Sequence, residues 1–218
     1  LELNDSIQNK ERTVSFEDNC FSGTNNLRDF NITISKKNSK SYNQKCISRL
    51  TLGKSCFLGL KNMTNLIFPF EKITIGDNCF LNNSIKSISF PNTTEFTAGS
   101  CSFKGCTLLH DFSIPLASSI TFGDSCFSGS QSISNIEFKC QSLTLGTKCF
   151  ENCTSYQIFN FTIHENVKPQ NNNKFKYNPP ESSINIGDEC FTGTSQLSGI
   201  NIKCDKIELG KSMVKNCP

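Results

Sequence analysis

The sequence contains no tryptophan and only two histidines, and its net charge is only +3 over 218 residues. A charge this small gives no electrostatic reason to expect a nucleic-acid partner, since nucleic-acid binding needs a concentrated basic face. No apolar run approaches the roughly 18 residues that a membrane-spanning helix requires. We therefore expect no nucleic-acid partner and no membrane span in this segment.

The residues that are abundant, 19 Phe and 13 Cys, fall in a stretch that recurs along the chain. Ile73-Thr-Ile-Gly-Asp-Asn-Cys-Phe80 returns in closely similar form at residues 50–57, 120–127, 143–150 and 184–191. A recurring unit of this kind is typical of a solenoid, in which each unit stacks on the next. We call the Cys of this stretch position 0. Successive position-0 residues are Cys20, Cys56, Cys79, Ser102, Cys126, Cys149, Cys190 and Met213.

The spacing of position 0 predicts a unit of 23 residues, with one step of 24 and two long steps of 36 and 41 residues. Upstream of position 0 the apolar residues alternate, as in Leu50-Thr-Leu52, which is typical of a half-buried strand. Downstream, an apolar set such as Leu109, Phe112 and Ile114 fits a bend that enters a second strand. The sequence therefore predicts a β-rich solenoid of about eight units, with two parallel sheets and short turns.

The predicted organisation is one domain over residues 1–218, with insertions at residues 33–49 and 164–183 and a truncated C-terminal unit. A glycine three residues before position 0, such as Gly76, indicates a turn that needs a positive φ or a close backbone approach. Position 0 and the Phe that follows it are predicted to fill the core. These residues are Cys20, Cys56, Cys79, Cys126, Cys149, Cys190, Phe21, Phe57, Phe80, Phe103, Phe127, Phe150 and Phe191.

The cysteines fall in columns along the solenoid axis. Neighbours in a column are expected about 4.8 Å apart, which exceeds the roughly 3.5–4.5 Å Cβ separation of a disulfide. Four thiolates converging on zinc would be harder still to arrange. Free Cys packs as a small hydrophobe, so buried thiols are the prediction and no cofactor is expected. Some disulfides and a metal site remain as alternatives.

His110 and Asp111 lie in the same unit as Cys101 and Cys106, which is the combination that a Cys/His nucleophile pair would use. Neighbouring units offer no second Asp or Asn and no oxyanion glycine loop at the corresponding place. We therefore predict a solvated His–Asp pair and no enzyme, with a Cys/His hydrolase as the alternative.

The outward positions of the second strand predict an extended, nearly neutral surface for a protein partner, on the concave side of the solenoid. We call this surface the second-strand face. It consists of Asn31, Ile67, Ser89, Ser113, Glu137, Asn160 and Asn201. The alternative is a sheet face that only confers solubility.

The two insertions carry basic and aromatic residues that suit an acidic partner. The candidate binding residues there are Lys36, Lys37, Lys174, Lys176 and Tyr177. A low-complexity loop without a binding role is the alternative for each insertion.

The pattern from Ile73 to Pro91 is the clearest copy of a unit that resembles the BspA-like leucine-rich repeats of bacteria and parasitic protists. The resemblance covers Val14 to Cys217 apart from the insertions, with Cys at most position-0 sites where the family usually has Ala. It implies a leucine-rich-repeat solenoid on the cell surface or secreted, a surface antigen that functions in adhesion by binding host or matrix proteins.

An intracellular, cytoplasmic scaffold within a larger assembly is the alternative to this surface role. The last unit stops at Pro218 without the polar cap that terminal repeats need, so we expect the natural chain to continue.

Overall fold

The structure, a computed structural model, describes residues 2–3, 11–34, 47–163 and 181–218. None of the described residues forms a helix with the length and apolar character to cross a bilayer. The strands are β1 (Glu2–Leu3), β2 (Glu11–Phe16), β3 (Thr33–Ile34), β4 (Ile47–Leu52), β5 (Asn65–Ile67), β6 (Lys72–Ile75), β7 (Ser87–Ser89), β8 (Glu95–Ala98), β9 (Asp111–Ser113), β10 (Ala117–Phe122), β11 (Asn135–Leu145), β12 (Ile158–Thr162), β13 (Ser183–Ile186), β14 (Gly199–Ile202) and β15 (Lys206–Leu209).

The first sheet is built from the strand that precedes position 0 in each unit. Its order is β2, β4, β6, β8, β10, the second half of β11, β13 and β15, with every neighbouring pair parallel. The register shifts by one unit at each step, so Leu50 pairs with Ile73 and Ile73 with Phe96. Because side chains alternate along a strand, this register aligns the apolar residues of successive units on the inner face.

The second strands form two separate parallel sheets. One contains β5, β7 and β9, and the other contains the first half of β11 with β12 and β14. Pro69, Pro91 and Pro115 follow the second strands of the first group, and proline interrupts a ladder because it has no N–H. No proline follows Phe138, and β11 runs on without interruption into the first sheet. The predicted solenoid with two parallel layers and short turns is confirmed.

The segment that follows the first strand is a third ladder, made of turns. Positions −1 and +3 of each unit have a left-handed φ, for example Asn78 at 55° and Asn82 at 54°. The backbone N–H of Phe57 donates to the carbonyl of Cys79 at 2.9 Å, and that of Phe80 donates to Ser102 at 2.7 Å. Each unit therefore uses its turn, as well as its strands, to bond to the next unit.

The glycine column at position −3 is required by close backbone approach and not by a positive φ. A Cβ on Gly123 would lie 2.7 Å from the backbone atoms of Gly99 and Ser100 in the preceding unit. Real side chains do not tolerate such a contact with backbone, so the units stack closely only where this residue is glycine.

Position −2 alternates between aspartate and another residue from unit to unit. The Oδ1 of Asp77 accepts the backbone N–H of Ser100 at 2.7 Å, and the Oδ1 of Asp124 accepts that of Thr147 at 2.8 Å. Asp18 and Asp188 bond in the same way to Lys54 and Lys211. Each aspartate thus joins its own unit to the following one.

The core is a stack of phenylalanine rings along the solenoid axis. The rings of Phe57 and Phe80 have centroids 5.2 Å apart and planes 2° apart. The other pairs in the column stack at 5.0–5.6 Å from Phe21 to Phe191. Offset stacking of this kind contributes to stability beyond the area that the rings bury.

Two of the residues that we predicted to lie in the core are not fully buried. Cys20 is exposed and Phe21 is half-buried, whereas the others in that set are buried. Cys20 and Phe21 belong to the first unit, which is covered on one side only by described residues. The prediction was wrong for Cys20 because the column argument assumes a neighbour on both sides.

We expect Gly123→Ala to lower the free energy of unfolding by about 1–3 kcal/mol, the usual cost of overpacking. The measurement is urea unfolding followed by circular dichroism. Gly199→Ala is the matched control, because a Cβ there would lie 3.7 Å from the nearest atom, at ordinary contact distance. The control should stay within about 1 kcal/mol of the natural chain. Equal destabilisation of the two variants would contradict the close-approach explanation.

Candidate functional site

The structure places the second-strand face on two groups of strands. Ile67, Ser89 and Ser113 are direct neighbours in register on β5, β7 and β9. Glu137, Asn160 and Asn201 are neighbours on β11, β12 and β14. Because β9 and β11 are not paired, the structure brings these residues together as two sets of three. Asn31 is exposed and lies two residues before β3.

Glu137, the charged residue of this face, is paired within its own unit, and so is Asp111 beside the face. The Nζ of Lys139 lies 2.9 Å from a carboxylate oxygen of Glu137, and Nδ1 of His110 lies 3.1 Å from one of Asp111. The Nδ2 of Asn201 donates to the Oδ1 of Asn160 at 2.8 Å. The face is therefore nearly neutral, and amide and hydroxyl groups occupy most of it.

Two isoleucines interrupt this polar surface. The Ile67 side chain is 58% exposed, although the flanking residues Leu66 and Phe68 are buried. Ile158 is 37% exposed and lies beside the face, in register with Asn135 and Gly199. The sequence analysis did not select Ile158, although its alignment with those two outward residues would have identified it.

The basic loop residues stay untested by the structure. Lys36, Lys37, Lys174, Lys176 and Tyr177 lie outside the described residues.

The Cys106 thiol and the His110 imidazole, both in the fourth unit, are in different environments. The Cys106 side chain is fully buried and donates to the carbonyl oxygen of Phe80 at 3.0 Å. Burial raises the pKa of the Cys106 thiol to about 12. The His110 side chain is about half exposed and contacts Asp111. A cysteine nucleophile needs an accessible thiolate, which Cys106 does not supply.

The thiols at position +4 share one structural role. Those of Cys153 and Cys217, like that of Cys106, donate to the carbonyl oxygen of the core Phe in the preceding unit, at 3.1 and 3.0 Å. Ser130 and Thr194 use their hydroxyl groups in the same way. This position therefore accepts a short side-chain donor of any chemical type, although the second unit has the apolar Leu60 there.

The cysteines among the described residues are all free thiols. Within the same part of the chain, no group of three or more His, Cys, Asp or Glu side chains is placed to hold a metal ion. Eight thiols are buried, and burial is the main reason that the pKa of Cys140 rises to about 12.

We expect iodoacetamide to label the eight buried cysteines only after denaturation, because burial holds each thiol away from the reagent. They are Cys56, Cys79, Cys106, Cys126, Cys140, Cys149, Cys153 and Cys190. Peptide mass spectrometry with and without urea provides the measurement. If Cys126 is labelled as fast as the exposed Cys20 in the folded protein, the buried cysteines are accessible to the reagent and the prediction is wrong.

We expect Cys153→Ser to retain most of the stability and Cys153→Ala to lose about 1 kcal/mol, the net contribution of one hydrogen bond. Serine keeps a donor for the carbonyl of Phe127, as Ser130 does for Phe103 in the neighbouring unit. Thermal unfolding monitored by circular dichroism distinguishes the two variants. Equal losses would mean that the thiol acts only by filling space.

Comparison with known proteins gives one family match. The family described as BspA type leucine rich repeat region matches residues 50–179 and 98–218, with six copies of the repeat. No curated protein and no solved structure matches the chain. The two matched spans overlap and together include more than half of the sequence. The chain is therefore a member of the BspA-type leucine-rich repeat family.

Proposed function

We propose that this chain is a recognition module that binds a protein partner through the second-strand face and acts by binding, without catalysis. The observation that carries the proposal is the exposure of two isoleucines, Ile67 and Ile158, one in each of the two groups of second strands, on otherwise polar surfaces. Membership of the leucine-rich repeat family supports a role in protein interaction.

An apolar anchor surrounded by polar groups is the usual arrangement of a protein interface. Most of the binding energy comes from a few residues that become fully desolvated, while the polar rim excludes water and fixes orientation. Ile67 has the exposure for such an anchor, and Ser89 and Asn65 lie next to it on the same sheet. Since these side chains are carried by paired strands, little backbone freedom is lost on binding.

The two insertions would supply the electrostatic attraction, because Glu137, the charged residue of the face, is already paired with Lys139. The loop lysines would then approach an acidic part of the partner and raise the association rate. A surface or secreted location with a role in adhesion is the setting that fits the family best. We further propose that residues 1–218 act as one domain.

The test compares capture of partner proteins by the natural chain and by a double variant, Ile67→Asp with Ile158→Asp. We expect the variant to bind an identified partner at least about tenfold more weakly, since removal of an anchor costs more than about 1.4 kcal/mol. Quantitative mass spectrometry of affinity-captured proteins identifies the partner, and titration against that purified protein measures the loss.

Val214→Asp is the matched control, because Val214 is 45% exposed and lies in a turn of the last unit, away from the second strands. Its partner binding should be unchanged. A double variant that binds as well as the natural chain would refute the role of this face. Deletion of residues 36–45 and 174–177 tests the loops separately, and unchanged association at low salt would exclude them.

A further inference from the structure

The outward side of the first sheet carries a row of threonines, one in each of five successive units. These are Thr51, Thr74, Thr97, Thr121 and Thr144, which are direct neighbours in register. At a strand spacing of about 4.8 Å, the row is about 19 Å long. The structure thus presents the same small polar side chain at constant intervals along the solenoid axis.

The hydroxyl groups of this row are available to a ligand. None of the five forms a hydrogen bond with another described residue, whereas those of Thr93 and Thr194 donate to backbone carbonyls. Threonine is branched at Cβ, which restricts rotation about χ1. Each unit therefore holds one hydroxyl and one methyl group in nearly fixed positions, so that little entropy is lost when a ligand binds.

A row of glycines, which leaves the backbone without side chains, lies beside the threonine row. Two residues after each threonine is the glycine of position −3, which is partly exposed, as at Gly76, Gly99 and Gly123. The close approach of successive units prevents any side chain there. The residues of position −2 lie on the other side of these glycines from the threonines. The threonines, the glycines and position −2 together form a shallow axial furrow.

The charges along the furrow indicate which polymer it suits. The threonine and glycine rows are uncharged, and position −2 of these five units carries Asp77 and Asp124 against Lys54, a small negative balance that would not attract a polyanion. On the near side, Lys72 and Glu95 neutralise each other at 2.5 Å. Protein interfaces depend mainly on Trp, Tyr and Arg anchors, and none of these occurs in the threonine row. A neutral, hydroxyl-rich chain with a short repeat matches both the charge and the linear shape.

We infer that the axial furrow binds an extended, uncharged polysaccharide laid along the solenoid axis. The threonine hydroxyls exchange hydrogen bonds with the sugar hydroxyls, and the methyl groups contact the C–H faces of the rings. Each unit adds one weak contact, and the fixed spacing makes the contacts act together. The furrow is separate from the second-strand face, so the two binding activities are independent.

The experiment measures cosedimentation of the full chain with insoluble cellulose and with chitin. The variant is Thr74→Val with Thr97→Val and Thr121→Val, which removes three hydroxyls while keeping side-chain shape and strand preference. We expect the natural chain to bind at least one of the two polymers and the variant to bind at least about tenfold more weakly, from three lost hydrogen bonds. Serine at the same three positions keeps the hydroxyls but removes the methyl groups, so this variant should bind more tightly than the valine variant.

The matched control is Ser89→Ala with Ser113→Ala, on the second-strand face, which should leave sedimentation unchanged. Should the triple valine variant fail to fold, Thr97→Val alone is expected to weaken binding roughly threefold. The inference is overturned if the natural chain binds neither polymer, or if folded valine variants bind as well as it does. Thermal hysteresis that depends on the threonines, without polymer binding, would overturn it in favour of an ice-binding surface.

The same variants keep this test distinct from that of the proposed function. Ile67→Asp with Ile158→Asp should leave polysaccharide binding unchanged, and the triple valine variant should still bind the protein partner. Loss of both activities in one folded variant would contradict two independent surfaces.

Discussion

The structure depends on the hydrogen bonds that join the turn of each unit to the turn of the next. Three backbone N–H groups per unit, at positions −1, +1 and +3, donate to carbonyls of the following unit, as Asn78, Phe80 and Asn82 do. This ladder requires left-handed residues at two of those positions and glycine at position −3. With the spacing fixed in this way, the phenylalanines after position 0 can only stack. The aromatic core is therefore as much a consequence of the backbone ladder as a cause of it.

Equivalent positions of successive units are stacked along the axis. The side chain at each position must therefore be compatible with its neighbours in the preceding and following units. Asn82 occupies a left-handed position, and its Oδ1 lies where a Cβ on Gly105 of the next unit would be. Asn152 and Gly193 repeat the same combination. At position +4, Asn83, Ser130 and Cys153 differ in chemistry yet all donate to the Phe carbonyl of the preceding unit. Compatibility between neighbouring units thus explains substitutions that look irregular within one unit.

The fold could be predicted from the sequence because two short-range signals recur in every unit, the alternating strand and the Cys-Phe pair. The separation of the second strands into two sheets could not be predicted from these signals. It depends on whether the chain bends after the second strand, as at Pro115, or continues as a strand, as at Lys139. The exposure of Cys20 depends on the end of the stack, which a column argument does not contain. The candidate face was predicted at Ile67, but Ile158 was not selected, although it aligns with the outward residues Asn135 and Gly199 of the adjoining units. The roles of the insertions depend on residues that no repeat constrains.

The alternation of aspartate at position −2 has a consequence for how such a chain can change in length. Each carboxylate of Asp77 or Asp124 serves the following unit, which itself has no carboxylate there. Loss or duplication of a single unit would place two aspartates next to each other, with repulsion between them, or two units without one. Loss or duplication of a pair preserves the alternation throughout. The structural repeat at this position is accordingly two units long, and a change in length by a pair of units keeps each carboxylate bonded to a following unit that has none.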